Sequence, residues 1–351
     1  MKDFSRRTFL GLCGKCLLGL GLGSFLPPAV VRAAEGAPEL HVIEAGDAPA
    51  DAGHFRAIVF CDSQCGESYD TWAHTFAAAF DRHGVPDLFT IIGDLVDCGA
   101  SDWHWDSWHA AMDSRASSAV FVPVMGNHEC YSTEWLNCLP EGYLSRFAVP
   151  ENGRENGSAR FPGYYYSFDY GPAHILVLNT QWGELDGLLP GILPEQIAWM
   201  QSDLAAQKNA NQKGRRPWNI VLMHKDILAY DEPQSDGQTA GFSDVGRAFL
   251  QHFDALGIDL VLTGHMHAYR DRGHIKAFVT GPAYVMCGRA GNEYYYVPPD
   301  KFDCAAAPDD HPESYVTLDV TAEQLTLRGW ETDGTLLDTL TLARSSQNPA
   351  S

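Results

Sequence analysis

From residue 55 onward, apolar runs of strand length alternate with stretches whose apolar residues recur at helical spacing. The strand-type runs cover residues 57–61, 88–92, 119–124, 219–223 and 260–262. Residues 69–83 place Trp72, Phe76, Ala79 and Phe80 on one helical face and stop at Gly84. The pattern predicts further helices over 103–115, over 194–207 with Ile197, Met200 and Leu204 on one face, and over 243–256. Pro194 suits the start of the second of these, and Ser243 caps the third. Residues 164–170 and 174–179 flank Gly171-Pro172 and read as two strands joined by a turn. Residues 314–320, 324–329 and 336–342 alternate as a terminal antiparallel meander, with the turn dipeptide Asp333-Gly334 before the last strand. Residues 151–163 and 231–241 are polar loops, and no internal repeat or proline-rich linker interrupts the series. Strands alternating with helices predict an α/β fold.

The first residues follow a different pattern. Ser5-Arg6-Arg7-Thr8-Phe9-Leu10 resembles the twin-arginine export consensus. An apolar run over 17–26 and a small-residue exit at Ala33-Ala34 follow it. That run falls well short of the roughly twenty residues needed to span a bilayer. Residues 1–34 are therefore expected to be a cleaved signal read by the twin-arginine translocase. The mature chain would be periplasmic or secreted and not inserted in the membrane.

Charge and cysteine content narrow the picture. The formal net charge is −21, and residues 1–34 hold five basic residues and one acid, so the mature part is more acidic still. Such a surface repels nucleic-acid phosphates, and no nucleic-acid partner is expected. Nine cysteines occur, of which Cys13 and Cys16 lie in the signal. The remaining seven form no CxxC zinc pattern, and an odd number leaves at least one thiol unpaired within the chain. Cys130 and Cys138, close in sequence, are the preferred disulfide pair.

Almost every strand-type run ends in side chains that bind metals. These are Asp62-Ser63-Gln64, Gly93-Asp94, Gly126-Asn127-His128, His224 and Gly264-His265-Met266-His267. In open α/β sheets ligands sit beyond the carboxyl ends of strands, so these segments can converge. Carboxylates, imidazoles and amides suit a pair of divalent metals, and two metals about 3.5–4 Å apart form a clamp for phosphoester hydrolysis.

The order Asp-x-Gln, Gly-Asp-x-x-Asp, Gly-Asn-His-Glu, His, Gly-His-x-His resembles the calcineurin-like metallophosphoesterase superfamily over roughly residues 55–342. The segments 165–171 and 264–270 are similar to the purple-acid-phosphatase branch. The resemblance implies that Asp94 bridges two metal ions (Fe, Mn or Zn). Asp62, Gln64 and His267 would then bind the first, and Asn127, His224 and His265 the second. It implies an α/β fold of two facing mixed β-sheets flanked by helices. Residues 35–54 would be a lead-in, 55–343 the catalytic domain and 344–351 a tail.

Two departures from the family pattern bear on the chemistry. Gln64 stands where the family usually has His. Its amide oxygen can ligate, hold a metal-bound water, or merely orient Asp62; in the first two cases the first site is weaker and shifted toward Mn, Fe or Mg. Asp97 stands where purple acid phosphatases have their metal-binding Tyr. Residues 93–99 instead resemble the Ser/Thr phosphatase pattern, which implies an Asp97–His128 dyad with His128 as the acid for the leaving group. That pattern's phosphate-binding Arg is here Cys98, leaving Lys225 and Arg270 as candidate cations. The run over 103–109 is read as core-packing Trp residues, and the Tyr294-Tyr295-Tyr296 run is given no role.

The expected activity is hydrolysis of phosphomonoesters or small phosphodiesters by a metal-activated hydroxide. A degenerate metal-binding envelope protein and a nuclease of the same superfamily are the alternatives. The export expectation has its own test: Arg6→Lys with Arg7→Lys should retain precursor in the cytoplasm of the native host. Unchanged export of the double variant would reject it.

Overall fold

The parallel strands of this protein are mostly apolar because both of their faces are largely covered. The computed structural model describes residues 37–44, 46–47, 53–150, 161–210, 216–229, 241–275, 281–295, 297–299, 302–308 and 310–344. All belong to one unit, Val31–Ser351. The signal segment, the loops 151–160 and 231–240 and the last seven residues lie outside the described set.

Along the chain come β1 (His41–Val42), β2 (His54–Phe60), α1 (Asp70–His83), β3 (Leu88–Ile92), α2 (Asp102–Ala110), β4 (Val120–Val124), α3 (Glu141–Arg146) and β5 (Tyr166–Tyr170). Then follow β6 (Ala173–Leu178), α4 (Trp182–Leu185), α5 (Ile192–Ala210), β7 (Trp218–Met223), α6 (Asp244–Leu256), β8 (Leu260–Thr263), β9 (Tyr269–His274) and β10 (Ala283–Cys287). The chain closes with β11 (Ala305–Ala306), β12 (Ser314–Thr321), β13 (Gln324–Glu331) and β14 (Leu336–Ala343). Two seven-stranded sheets result, ordered β1-β4-β3-β2-β12-β13-β14 and β11-β9-β10-β8-β7-β6-β5. Both are mixed. In the first, β1, β4, β3 and β2 are parallel and the terminal meander adds antiparallel strands. In the second, β6, β7, β8 and β10 are parallel, with β5 and β9 antiparallel at either side. The expected α/β architecture of two mixed sheets with flanking helices is the one observed.

Burial follows these pairings. Every residue of β3, β4, β7 and β8 is buried, whereas β14 alternates between partly buried and exposed positions. On α1 the buried side chains Trp72, Thr75, Phe76, Ala79 and Phe80 form one stripe. Phe76 stacks on Phe80 at 4.2 Å, meets Trp72 at 5.5 Å and Phe89 of β3 at 6.0 Å. Truncating such a ring costs about 3–5 kcal/mol. Ser243 caps α6 as expected, accepting from the Gly246 N–H. The Trp-rich run divides: Trp105 and Trp108 are buried, and Trp103 is exposed. The expected Cys130–Cys138 disulfide is corrected. Cys130 and Cys138 are not bonded to each other, and they meet instead through a main-chain hydrogen bond from Cys138 N to Cys130 O at 2.8 Å.

His174 on β6 is a buried charge that holds α5 to its sheet. Its ring lies 2.8 Å from Asp169 and 2.7 Å from Asp203, the latter on α5. Burial opposes protonation, but the two carboxylates outweigh it and push the imidazole up to about 9. A raised folded-state value gives stability that is complete below the unfolded value of about 6.5 and is lost as pH rises through the folded one. Urea denaturation should therefore show about 1–3 kcal/mol less stability at pH 9.5 than at pH 6 from this group. His174→Gln should remove that part of the pH dependence; an unchanged difference would show that the imidazole is not charged in the folded state.

Candidate metal centre

The donor side chains sit where the expected strands end. Asp62 and Gln64 follow β2, Asp94 follows β3, Asn127 and His128 follow β4, His224 follows β7, and His265 and His267 follow β8. Main-chain bonds fix the loops to one another: Asp62 N donates to Gly93 O at 3.1 Å and Gln64 N to Asp94 O at 3.2 Å. Ser63 Oγ donates to Leu95 O and accepts from Trp108 Nε1. The approach is too close for side chains at two glycines. A Cβ on Gly93 would lie 2.3 Å from the His224 ring, and one on Gly126 would lie 2.2 Å from the Asp94 carboxylate.

Two groups of donor atoms emerge, Asp94 with His224 and His265, and Asp62 with Asp94 and His267; within each, the atoms lie within 4.8 Å of one another. Asp94 belongs to both. His224 Nε2 is 3.0 Å from Asp94 Oδ2 and 3.1 Å from Asn127 Oδ1, and its Nδ1 donates to Ile92 O. His265 Nδ1 lies 3.2 Å from His224 Nε2. On the other side His267 Nε2 is 3.3 Å from Asp62 Oδ1 and also 3.3 Å from Gln64 Nε2, and its Nδ1 donates to Glu293 O. Each metal-binding imidazole characteristically donates its second nitrogen to a carbonyl in this way. All the candidate donors Asp62, Gln64, Asp94, Asn127, His224, His265 and His267 therefore converge.

The electrostatics favour a cation. Burial works against ionised Asp94, yet His224 and His128 hold it well below the usual carboxylate range. Burial likewise opposes charge on His224, but Asp94 raises it to about 9. His265 is driven well below the ordinary histidine value, first by burial and then by His224, so it stands neutral with a lone pair for ligation. Gln64 Oε1 is fully buried with no hydrogen-bond partner among the described residues. Such an orphaned acceptor beside two carboxylates and an imidazole fits a bound cation. The residues present thus suit metal binding on the chemistry of the donor set.

Three expectations are corrected. His128 Nδ1 does bond to residue 97, but to the main-chain oxygen, at 2.8 Å. The Asp97 carboxylate turns the other way, accepting from Cys65 N, Gly66 N and Tyr69 Oη and lying 3.4 Å from His104 Nδ1. Three donors and an imidazole on the far side compete for it, so the dyad is carbonyl to imidazole, not carboxylate to imidazole. Lys225 is not an open phosphate ligand, since its Nζ pairs with both Glu184 oxygens at 2.6 and 2.8 Å. Arg270 is buried, donating to the carbonyls of Tyr269 and Ala307 and pairing with Asp303 at 3.4 Å. Both cations are neutralised within the fold.

Sequence reasoning also missed partners. Glu129 stood only as the last letter of a motif, yet its buried carboxylate accepts from Asp94 N, Leu95 N, Val96 N and Gly126 N. The segment 291–295 reaches the site through Gly291 N to Asp62 O, Asn292 Nδ2 to Cys65 O, and the Tyr295 ring 4.4 Å from the His267 ring. The Tyr run was the visible signal, but nothing local in the sequence places it beside His267.

Donor-bearing loops thus converge at the ends of parallel strands of two mixed sheets. The profile of the Calcineurin-like phosphoesterase family matches residues 50–269, and the chain belongs to that family. It is 27% identical over 239 residues to purple acid phosphatase 15 of Arabidopsis thaliana, covering 60% of this chain and 41% of that protein. To purple acid phosphatase 23 of the same plant it is 29% identical over 191 residues, covering 54% and 38%. The chain thus spans about two fifths of the length of these relatives. The fold is similar to that of purple acid phosphatase PPD1 from yellow lupin (Lupinus luteus) seeds, with a TM-score of 0.62 at 23% identity, over 85% of this chain and 55% of that one. A PhoD structure also aligns, with a TM-score of 0.54 at 14% identity over 89% and 74%.

The orphaned amide oxygen yields a prediction. Gln64→His exchanges a weak oxygen donor for imidazole and should tighten Zn binding in chelator competition by roughly tenfold. Unchanged affinity would show that Gln64 is no ligand and only supports Asp62.

Proposed function

We propose that this chain is an exported dinuclear-metal phosphohydrolase acting on phosphomonoesters or small phosphodiesters. The observation that carries this reading is Asp94, a single buried carboxylate common to both donor groups. Asp62, Gln64, Asp94 and His267 would hold one cation, and Asp94, Asn127, His224 and His265 the other. Bound there, two cations supply Lewis-acid charge for the phosphoryl oxygens and a water activated for in-line attack.

The protein's own residues do the rest. His265 N donates to both Asp62 oxygens at 3.1 and 3.0 Å, which fixes the angle of that carboxylate. His128 N donates to Asp94 Oδ1 at 2.9 Å, which fixes the shared one. The His128 ring is held by the Asp97 carbonyl at Nδ1, so Nε2 faces the site, 3.9 Å from Asp94 Oδ2. Burial disfavours a proton on this ring, but Asp94 and the Asp97 carbonyl raise its affinity for one. In this reading His128 donates that proton to the departing oxygen. The acid-rich composition favours small substrates over nucleic acid.

One experiment tests both levels. Metal-stripped protein should hydrolyse neither glycerol 3-phosphate nor p-nitrophenyl phosphate, and added Mn, Fe or Zn should restore both. At full metal occupancy, His128→Ala should then slow the alkyl ester far more than the aryl ester, by roughly 10²-fold or more, because only the alkoxide needs a proton to leave. Turnover indifferent to metal would reject the centre; equal losses on both esters would reject His128 as the acid.

A further inference from the structure

Among the described residues, the non-glycine residues with positive φ are Asp62, Asp94, His265, His267 and Trp135. Four are candidate ligands. The fifth, Trp135 at φ 60°, is a bulky aromatic in a region such residues avoid, and strain of that kind persists only where surrounding bonds impose it. Those bonds are present. Trp135 N donates to Ser132 O at 2.9 Å and Ser132 N to Leu136 O at 2.8 Å. Ser132 Oγ accepts from Glu134 N and Leu136 N. The tight reversal follows directly on Asn127, His128 and Glu129.

The strain does not serve core packing, because Trp135 is 53% exposed. Its ring stands perpendicular to His128, with centroids 5.7 Å apart and an interplanar angle of 88°. Tyr131 lies 5.4 Å from the same imidazole and 6.1 Å from Trp135, and its hydroxyl accepts from Asn127 Nδ2 at 3.4 Å. Exposed Leu136 and Leu139 extend the apolar surface outward. A perpendicular contact occupies at most one face of the indole. Tyr295 differs, lying tilted at 31° to His267 with centroids 4.4 Å apart.

Resting on the phosphohydrolase reading, we propose that Trp135 and Tyr131 form a stacking wall for a planar ring in the leaving group of the ester. Aryl and nucleoside phosphates are then bound in preference to aliphatic ones. The wall stands at His128, the residue that faces the departing oxygen, so the group it meets is the alcohol half of the substrate. Aromatic faces recognise any planar π system, with little regard to its hydrogen-bonding edges.

The test separates the wall from the activity. Affinities of the metal-loaded protein are measured by calorimetry for naphthylmethylphosphonate, for the phosphonate analogue of adenosine monophosphate, and for methylphosphonate. Trp135→Asn removes the ring while suiting a positive φ, and Trp135→Phe keeps a ring. Trp135→Asn should weaken both planar ligands by roughly tenfold and methylphosphonate by less than twofold, and Trp135→Phe should recover most of the loss. Weakening of the naphthyl ligand alone would restrict the wall to aryl alcohols, and of the adenosine ligand alone to nucleosides. Equal effects on all three ligands, or none, overturn the proposal. Wild-type turnover of p-nitrophenyl phosphate, measured alongside, reports on the phosphohydrolase reading: its absence with ring-dependent binding rejects that activity and not the wall.

Discussion

The site depends on one buried carboxylate that touches no proposed ligand atom. Glu129 accepts from the main-chain N–H groups of Asp94, Leu95 and Val96 at 3.0, 2.9 and 3.3 Å, and from Gly126 at 2.6 Å. It thereby ties the loop after β3 to the loop after β4. Without it, several N–H donors would be buried unsatisfied, each costing about 1–3 kcal/mol. Burial and the nearby Asp94 charge push Glu129 up to about 7 even though Gly126 favours its ionised form. The Asp94 charge opposes ionisation of Glu129, and a cation held by the donors would relieve that repulsion.

The backbone carries a second part of the same design. Asp62, Asp94, His265 and His267 all adopt φ between 51° and 73°. Each of these left-handed residues lies in a loop that follows a parallel strand and carries one of the converging donors. The strain is held by neighbouring main-chain bonds, such as Asp62 N to Gly93 O and Gly264 N to His224 O. The donors are consequently placed before any ligand arrives, which reduces what binding must order. A Gln at position 64 fits this frame: its loop is fixed by the main chain, so the side chain can change from imidazole to amide without moving Asp62.

Much of this was legible in the sequence for a physical reason. Strands covered on both faces are written as mostly apolar runs, so 88–92, 219–223 and 260–262 stood out, with the donors just beyond them. The aromatic face of α1 was equally plain from its helical spacing. Side-chain direction was not. Whether Asp97 presents its carboxylate or its carbonyl to His128 depends on Tyr69 and His104, which arrive from two other elements. Lys225 and Arg270 were plausible phosphate ligands until Glu184 and Asp303 appeared beside them, and no local pattern links those pairs. Trp135 gave no signal because its backbone strain is set by a hydrogen-bonded reversal and not by a glycine.

These corrections change how the proposed chemistry must be driven. A phosphoryl group would bring further negative charge into a site already lined by Asp62 and Asp94. With Lys225 bound to Glu184 and Arg270 bound to Asp303, neither offers its charge to that group. In the proposed chemistry the positive charge would come from the cations that the donors would hold and from protonated imidazole, so substrate affinity should follow metal occupancy closely. Recognition of the alcohol half then falls to uncharged contacts. An aromatic wall beside His128 is a physically consistent way to supply them, since stacking does not compete with the anionic lining that the metals require.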